Sequence, residues 1–222
     1  WLDDFLILPT RLSHFTDGLV AHYPFNGNAN DESGSGYHGT VTGATLNTDR
    51  YGTAGKAYNF DGVNDKIDST IPLTPAKVTV SAWFKADSDG IPGTREIVNR
   101  YNSAPGYSQW NLSWQYDGSG NSAPAYNRVF NRLVFAEAAT SDHFSGSLEK
   151  NKWHHAITTF DGQNQKLYIN GVLASTLNRN GNTHARAPSI VLRTGRALNL
   201  FRQDNRIRDL THGDSSVHTK FL

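Results

Sequence analysis

Residues 153 to 160 read WHHAITTF, and the adjacent imidazoles of His154 and His155 are of a type that could ligate a metal ion or carry a proton. Either chemistry needs the two rings to converge. The run is short, apolar-alternating and bounded by FDGQNQK, which predicts a strand, with Trp153, His155, Ile157 and Thr159 on one face and His154, Ala156, Thr158 and Phe160 on the other. Adjacent imidazoles then point to opposite sides of a sheet and cannot chelate one ion together. The pattern predicts a structural pair, with one ring half-buried and hydrogen-bonded and the other exposed.

Glycoside hydrolysis asks for two carboxyl groups, about 5–5.5 Å apart for retention or about 6.5–9.5 Å apart for inversion. The chain has four glutamates, Glu32, Glu96, Glu137 and Glu149, and none has an acid two positions away. Glu96 and Glu137 fall on different candidate strands and could meet only through the fold. No Gly-x-Ser-x-Gly elbow, glycine-rich phosphate loop or cysteine is present. The residues read as non-catalytic.

Binding chemistry is better represented. A glycan or peptide ligand is held by an aromatic face together with amide and guanidinium donors. Trp83, Asn99, Arg100, Tyr101, Tyr107 and Tyr126 supply these in the middle of the chain, and residues 102–131 hold five tyrosines and tryptophans among small polar residues. Two acidic loops, NANDESGSG and DGVNDKID, carry Asp31 and Asp65, with further oxygens from Asn28, Asn30, Glu32, Asp61, Asn64 and Asp68. Calcium takes six to eight such oxygens; the alternative is that Asx and Gly residues simply form turns there.

These side chains must be positioned by strands. Twenty glycines, abundant Asn, Asp, Ser and Thr, and 11% aromatic residues suit many short strands joined by turns. Candidate strands are 18–25, 56–60, 77–86, 96–101, 109–116, 132–138, 152–160 and 166–175, the last interrupted by the hairpin signal Asn170-Gly171. No long segment has a 3.6-residue apolar period. The fold class is all-β, a two-sheet antiparallel β-sandwich. In 77–86, Val78, Val80, Ala82 and Phe84 share the core face, so Trp83 on the other side either packs under a loop or faces a groove. Trp110, Leu112, Trp114 and Tyr116 share a face that reads as core.

Net charge is +1, with no global field directed at nucleic acid. Eight basic and three acidic residues follow Asn178, against 13 basic and 17 acidic residues up to it, an asymmetry read as solvated arginines. The longest apolar run near the start, FLIL, is too short to span a bilayer, so no membrane insertion is predicted and the chain reads as soluble.

The motifs GLVAHYPFNGNANDESGSGYHGTVTGATL, AYNFDGVNDKID, VTVSAWFKADS and WHHAITTFDGQNQKLYINGVLAS resemble, in order, those of bacterial laminin-G-like, concanavalin A-like jelly-roll domains related to the pentraxins. The resemblance covers 18–175 clearly and 176–210 in degenerate form, leaving 1–17 as an N-terminal arm or linker and 211–222 as a tail. It implies a jelly roll and calcium at the sandwich rim, with Asp31 and Asp65 as first ligands. Family glucanases carry a Glu-x-Asp-x-Glu strand that this chain lacks. The usual closing strand with paired aspartates is replaced by LFRQDNRIRDL at 200–210, while 188–194 can serve as the penultimate strand.

The expectation is a secreted or cell-surface, non-catalytic binding module for glycan or another surface ligand, such as a protein. The alternatives are a structural subunit of an extracellular fibre or surface layer assembled through its terminal arms, with self-assembly through the N-terminal arm, and, third, a glycoside hydrolase of the concanavalin A-like fold.

Overall fold

β-Branched and aromatic residues alternating with polar ones place most of the described residues in strands. The computed structural model describes residues 18–71, 77–86, 93–101, 108–116, 127–133, 141–178, 190–193 and 198–201. Among these, the strands are β1 (Thr40–Thr42), β2 (Thr45–Asn47), β3 (Ala57–Asn59), β4 (Lys66–Ser69), β5 (Val78–Ala86), β6 (Gly93–Tyr101), β7 (Ser108–Tyr116), β8 (Asn127–Leu133), β9 (Ser141–Phe144), β10 (Trp153–Phe160), β11 (Asn164–Ile169), β12 (Val172–Asn178), β13 (Ile190–Arg193) and β14 (Leu198–Phe201). They form two seven-stranded sheets, ordered β1-β4-β13-β6-β7-β8-β9 and β12-β11-β10-β5-β14-β3-β2. All pairings are antiparallel.

The core lies between the sheets, as period-two alternation requires. Val80, Ala82, Phe84, Ala156, Phe160, Leu167 and Ile169 come from the second sheet; Ile67, Ile97, Val98, Leu112, Trp114 and Val129 meet them from the first. Phe84 and Trp114 touch across the gap, ring centroids 5.8 Å apart. Leu112 and Trp114 are thus core residues, with Tyr116 packed beside them. One polar bridge crosses the core, where Thr158 donates to Asn131 Oδ1 at 3.1 Å and Asn131 Nδ2 donates to the Asn111 carbonyl.

Several boundaries differ from the sequence expectation. Residues 18–25 are not a strand, although Val20, Ala21, Tyr23 and Phe25 are buried in the core. Phe25 has φ 53°, which breaks an extended run, and Tyr23 is anchored by its side chain, donating to Ser69 Oγ, which donates to the Tyr37 carbonyl. The strand expected over 132–138 is centred earlier, on 127–133; 134–138 lie outside the described residues. β1, β2, β4 and β9 were not anticipated, being only three or four residues long. The penultimate strand falls at 190–193 within the expected 188–194, and the last at 198–201. The arm 1–17 and the tail 211–222 lie outside the described residues.

Candidate functional site

β10 carries the histidines as the alternation requires, on opposite faces. Both are buried, at 7% and 8% exposure, which corrects the expectation of one exposed ring. His154 faces the core against Phe84, its Nε2–H donating to the Glu149 carbonyl and its Nδ1 accepting from Asn170 Nδ2. Asn170 also accepts from the His155 backbone N–H at 2.9 Å and, with φ 52° followed by Gly171 at 84°, closes the β11–β12 hairpin. One turn residue therefore holds the His154 ring and the His155 backbone.

His155 faces outward but is covered. It stacks flat on Trp83, centroids 4.7 Å apart at 5°, and shares a 2.7 Å hydrogen bond with Ser81. The β2–β3 connection folds over this face: Asp49 accepts from the backbone N–H groups of Tyr51 and Thr53, and Arg50 lies 4.0 Å above Trp83 and 4.4 Å from the Tyr51 ring. Burial, and then the Arg50 charge, lower the His155 pKa from 6.5 to about 4, so the ring is neutral at pH 7. Of the two roles open to Trp83, the structure shows it packed under a loop.

The outer face of the other sheet is polar. β6 and β7 carry Glu96, Asn99, Asn111 and Ser113 on this side, the last three buried, with Asn99 in register with Asn111 and Glu96 with Ser113. Glu96 and Asn99 are three residues apart and would lie on opposite faces of a regular strand. A bulge between Glu96 and Val98 changes this, sending both Ile97 and Val98 into the core and leaving Glu96 and Asn99 together outside. Ser113 donates to Glu96 Oε2 at 2.7 Å, and Asn111 Nδ2 lies 3.4 Å from Oε1. Beside them Phe130 stacks on Phe144 and Arg128 caps Phe144 at 3.6 Å while donating to Gln115. Asn99 is only 2% exposed, and its Oδ1 has no hydrogen-bond partner among the described residues.

Of the six sequence candidates, the structure describes the side chains of Trp83 and Asn99. Trp83 and Asn99 lie on opposite outer faces of the sandwich. Arg100 and Tyr101 follow Asn99 on β6, where their backbones pair with Trp110 and Ser108. Tyr107, Tyr126 and Glu137 lie outside the described residues. Asn111, Ser113 and Arg50 were not singled out from sequence; the first two were legible only as the polar phase alternating with Trp110, Leu112 and Trp114.

Of the two calcium candidates, Asp31 is hydrogen-bonded by the protein on both oxygens and Asp65 on one. Asp31 Oδ1 accepts from the His22 and Ser33 backbone N–H groups, and Oδ2 from the Tyr37 N–H and the Ser33 hydroxyl. Burial works to raise this carboxyl, but those donors outweigh it and hold it below the usual range. Asp65 Oδ2 accepts from the Asp61 N–H, while Oδ1 sits against Gly43. Donors converging on Asp31 from four directions do not fit a calcium ligand, and no cluster of three metal-ligating side chains occurs among the described residues.

Two antiparallel seven-stranded sheets enclosing one core define a concanavalin A-like sandwich. The chain belongs to the concanavalin A-like lectin/glucanases superfamily, whose laminin-G-type model matches residues 61–203. Domain 4 of AbnA, a GH43 extracellular arabinanase from Geobacillus stearothermophilus solved in complex with arabinotriose, is similar at TM-score 0.51 and 20% identity, over 83% of this chain and 92% of that one. A mutant Trypanosoma rangeli sialidase displaying trans-sialidase activity gives TM-score 0.50 and 18% identity, over 84% of this chain but 30% of that one. The carbohydrate binding module CBM66 from Bacillus subtilis gives 0.44 and 14%, over 74% and 92%. These likenesses are of fold. No curated protein matches the chain. Among the described residues, no helix is long and apolar enough to cross a membrane.

Proposed function

We propose that this chain is a non-catalytic glycan-binding module of a secreted or cell-surface protein, taking its ligand against the outer face of β6–β9. The observation that carries the reading is Asn99, whose buried carbonyl oxygen finds no donor among the described residues, on a face that also carries Glu96, the buried Asn111 and Ser113, and the Phe130–Phe144 pair. Leaving a buried acceptor unpaired costs about 1–3 kcal/mol. Sugar hydroxyls supply such donors, and an amide that turns about χ2 offers either its oxygen or its nitrogen. Membership of a superfamily of lectins and glucanases supports the same reading, as does the likeness in fold to an arabinanase domain solved with arabinotriose. Glu96 accepts from the Ser113 hydroxyl and lies beside the Asn111 amide, a polar set suited to holding sugar hydroxyls.

A glycan array followed by isothermal titration calorimetry tests this. Saturable binding that Asn99→Ala weakens about tenfold or more, with the Tm within a few degrees of the parent, supports it. Cleavage of a bound oligosaccharide, lost in Glu96→Gln, overturns the non-catalytic part.

A further inference from the structure

The polar face continues past Asn99 in the direction away from β7. β13 pairs with β6 on one side and β4 on the other, and Val191 is in register with both Asn99 and Asp68. Asp68 and Asn99 therefore occupy one cross-strand row, two strand spacings or about 10 Å apart. Ile67 is fully buried and Ser69 is bonded to the inward-facing Tyr23, so Lys66 and Asp68 face outward, on the same side as Asn99. Lys66 holds Asp68 Oδ2 at 2.5 Å. Asp68 Oδ1 has no partner among the described residues, although the side chain as a whole is 32% exposed.

Two shielded acceptors on one row, each without a donor, call for a ligand that brings donors to both. Resting on the glycan-binding reading above, we infer that the site extends across β13 to Asp68, and that its ligand is a neutral, linear, hydroxyl-rich oligosaccharide running perpendicular to the strands. A sugar hydroxyl donates to Asp68 Oδ1 while Lys66 retains Oδ2. Asp68 is then the specificity-determining residue of the far subsite. A uronate or sialate placed there sets a carboxylate against an acceptor-only group and is disfavoured.

The test is calorimetric titration of the full chain with neutral cello-, xylo- and arabino-oligosaccharides of two to five units, and with oligogalacturonates of the same lengths. For a series that binds, affinity rises about tenfold once the chain is long enough to reach from Asn99 to Asp68, the worth of one charge-assisted hydrogen bond. Asp68→Ala and Asp68→Leu remove that rise and leave the shortest binding ligand unchanged; the two variants together guard against a local packing defect in either. A length gain that persists in both variants overturns the extension to Asp68 and leaves the binding reading standing. Oligogalacturonates that show the same gain overturn the neutral class. No binding at any length overturns the glycan reading, and this inference falls with it.

Discussion

Acidification from pH 7 to pH 4.5 perturbs one well-defined element, the layered stack of His155, Trp83, Arg50 and Tyr51. His155 has its pKa lowered to about 4 by burial and the Arg50 charge, against 6.5 in the unfolded chain. The unfolded state therefore binds the proton first. The stability difference is fully present above pH 6.5, falls as the pH drops through the window down to 4, and is constant below it. Integrated between these two values, the loss is about 2.5 kcal/mol at pH 4.5 and approaches about 3 kcal/mol at the plateau.

The assay is urea unfolding followed by tryptophan fluorescence at pH 7, 5.5 and 4.5, on the parent and on His155→Phe. The phenyl ring keeps a flat surface against Trp83 but cannot titrate, and carboxylates elsewhere cancel in the comparison. His155→Phe starts less stable at pH 7, because the Ser81 hydrogen bond is lost. It then loses about 2.5 kcal/mol less than the parent on acidification, roughly 5–10 °C in Tm for a domain of this size. Parallel pH profiles for the two proteins would refute the argument, since they would show that His155 is not shielded in solution.

Two further outcomes follow from the loops. Gly43→Ala forces a side chain into φ 76° and sets its Cβ 1.9 Å from Asp65 Oδ1, so thermal denaturation should show a loss of about 2–4 kcal/mol; an unchanged Tm would mean the β1–β2 turn differs from that described. Asp31→Ala strands three backbone donors and should cost about 2–4 kcal/mol to the same extent with calcium or with EDTA. Calcium-dependent stabilisation of the parent, absent in Asp31→Ala, would show that this carboxylate is a metal ligand after all.

Alternation alone was enough to read the sandwich, the core faces of 77–86 and 109–116, the Asn-Gly hairpin and the opposed histidines, because each depends on period-two geometry over a long run. What it could not read depends on departures from that period. Glu96 and Asn99 share a face only through the bulge at Ile97, and a bulge leaves no mark in a string of apolar and polar letters. The shielding of His155 comes from Arg50, 105 positions away and on a loop held in shape by Asp49. Asp31 was legible as a rim acid but not as one already surrounded by donors, since three of these are backbone N–H groups that no sequence displays. Short edge strands such as β1 and β2 carry too few residues for any period to register.

The strand order also has a consequence for how the chain is made. β13 and β14 are the last described strands in the sequence, yet each lies inside its sheet, β13 between β4 and β6 and β14 between β3 and β5. A ribosome delivers the flanking strands well before the pieces that join them. Until residues 190–201 emerge, both sheets exist as separated halves whose facing edges have open hydrogen-bonding groups, able to pair wrongly with one another or with a neighbouring nascent chain. The domain closes late and in both layers together. Slowing translation within 190–201 would therefore lengthen the aggregation-prone interval far more than an equal pause within 153–178, where the hairpin partners leave the ribosome one after another.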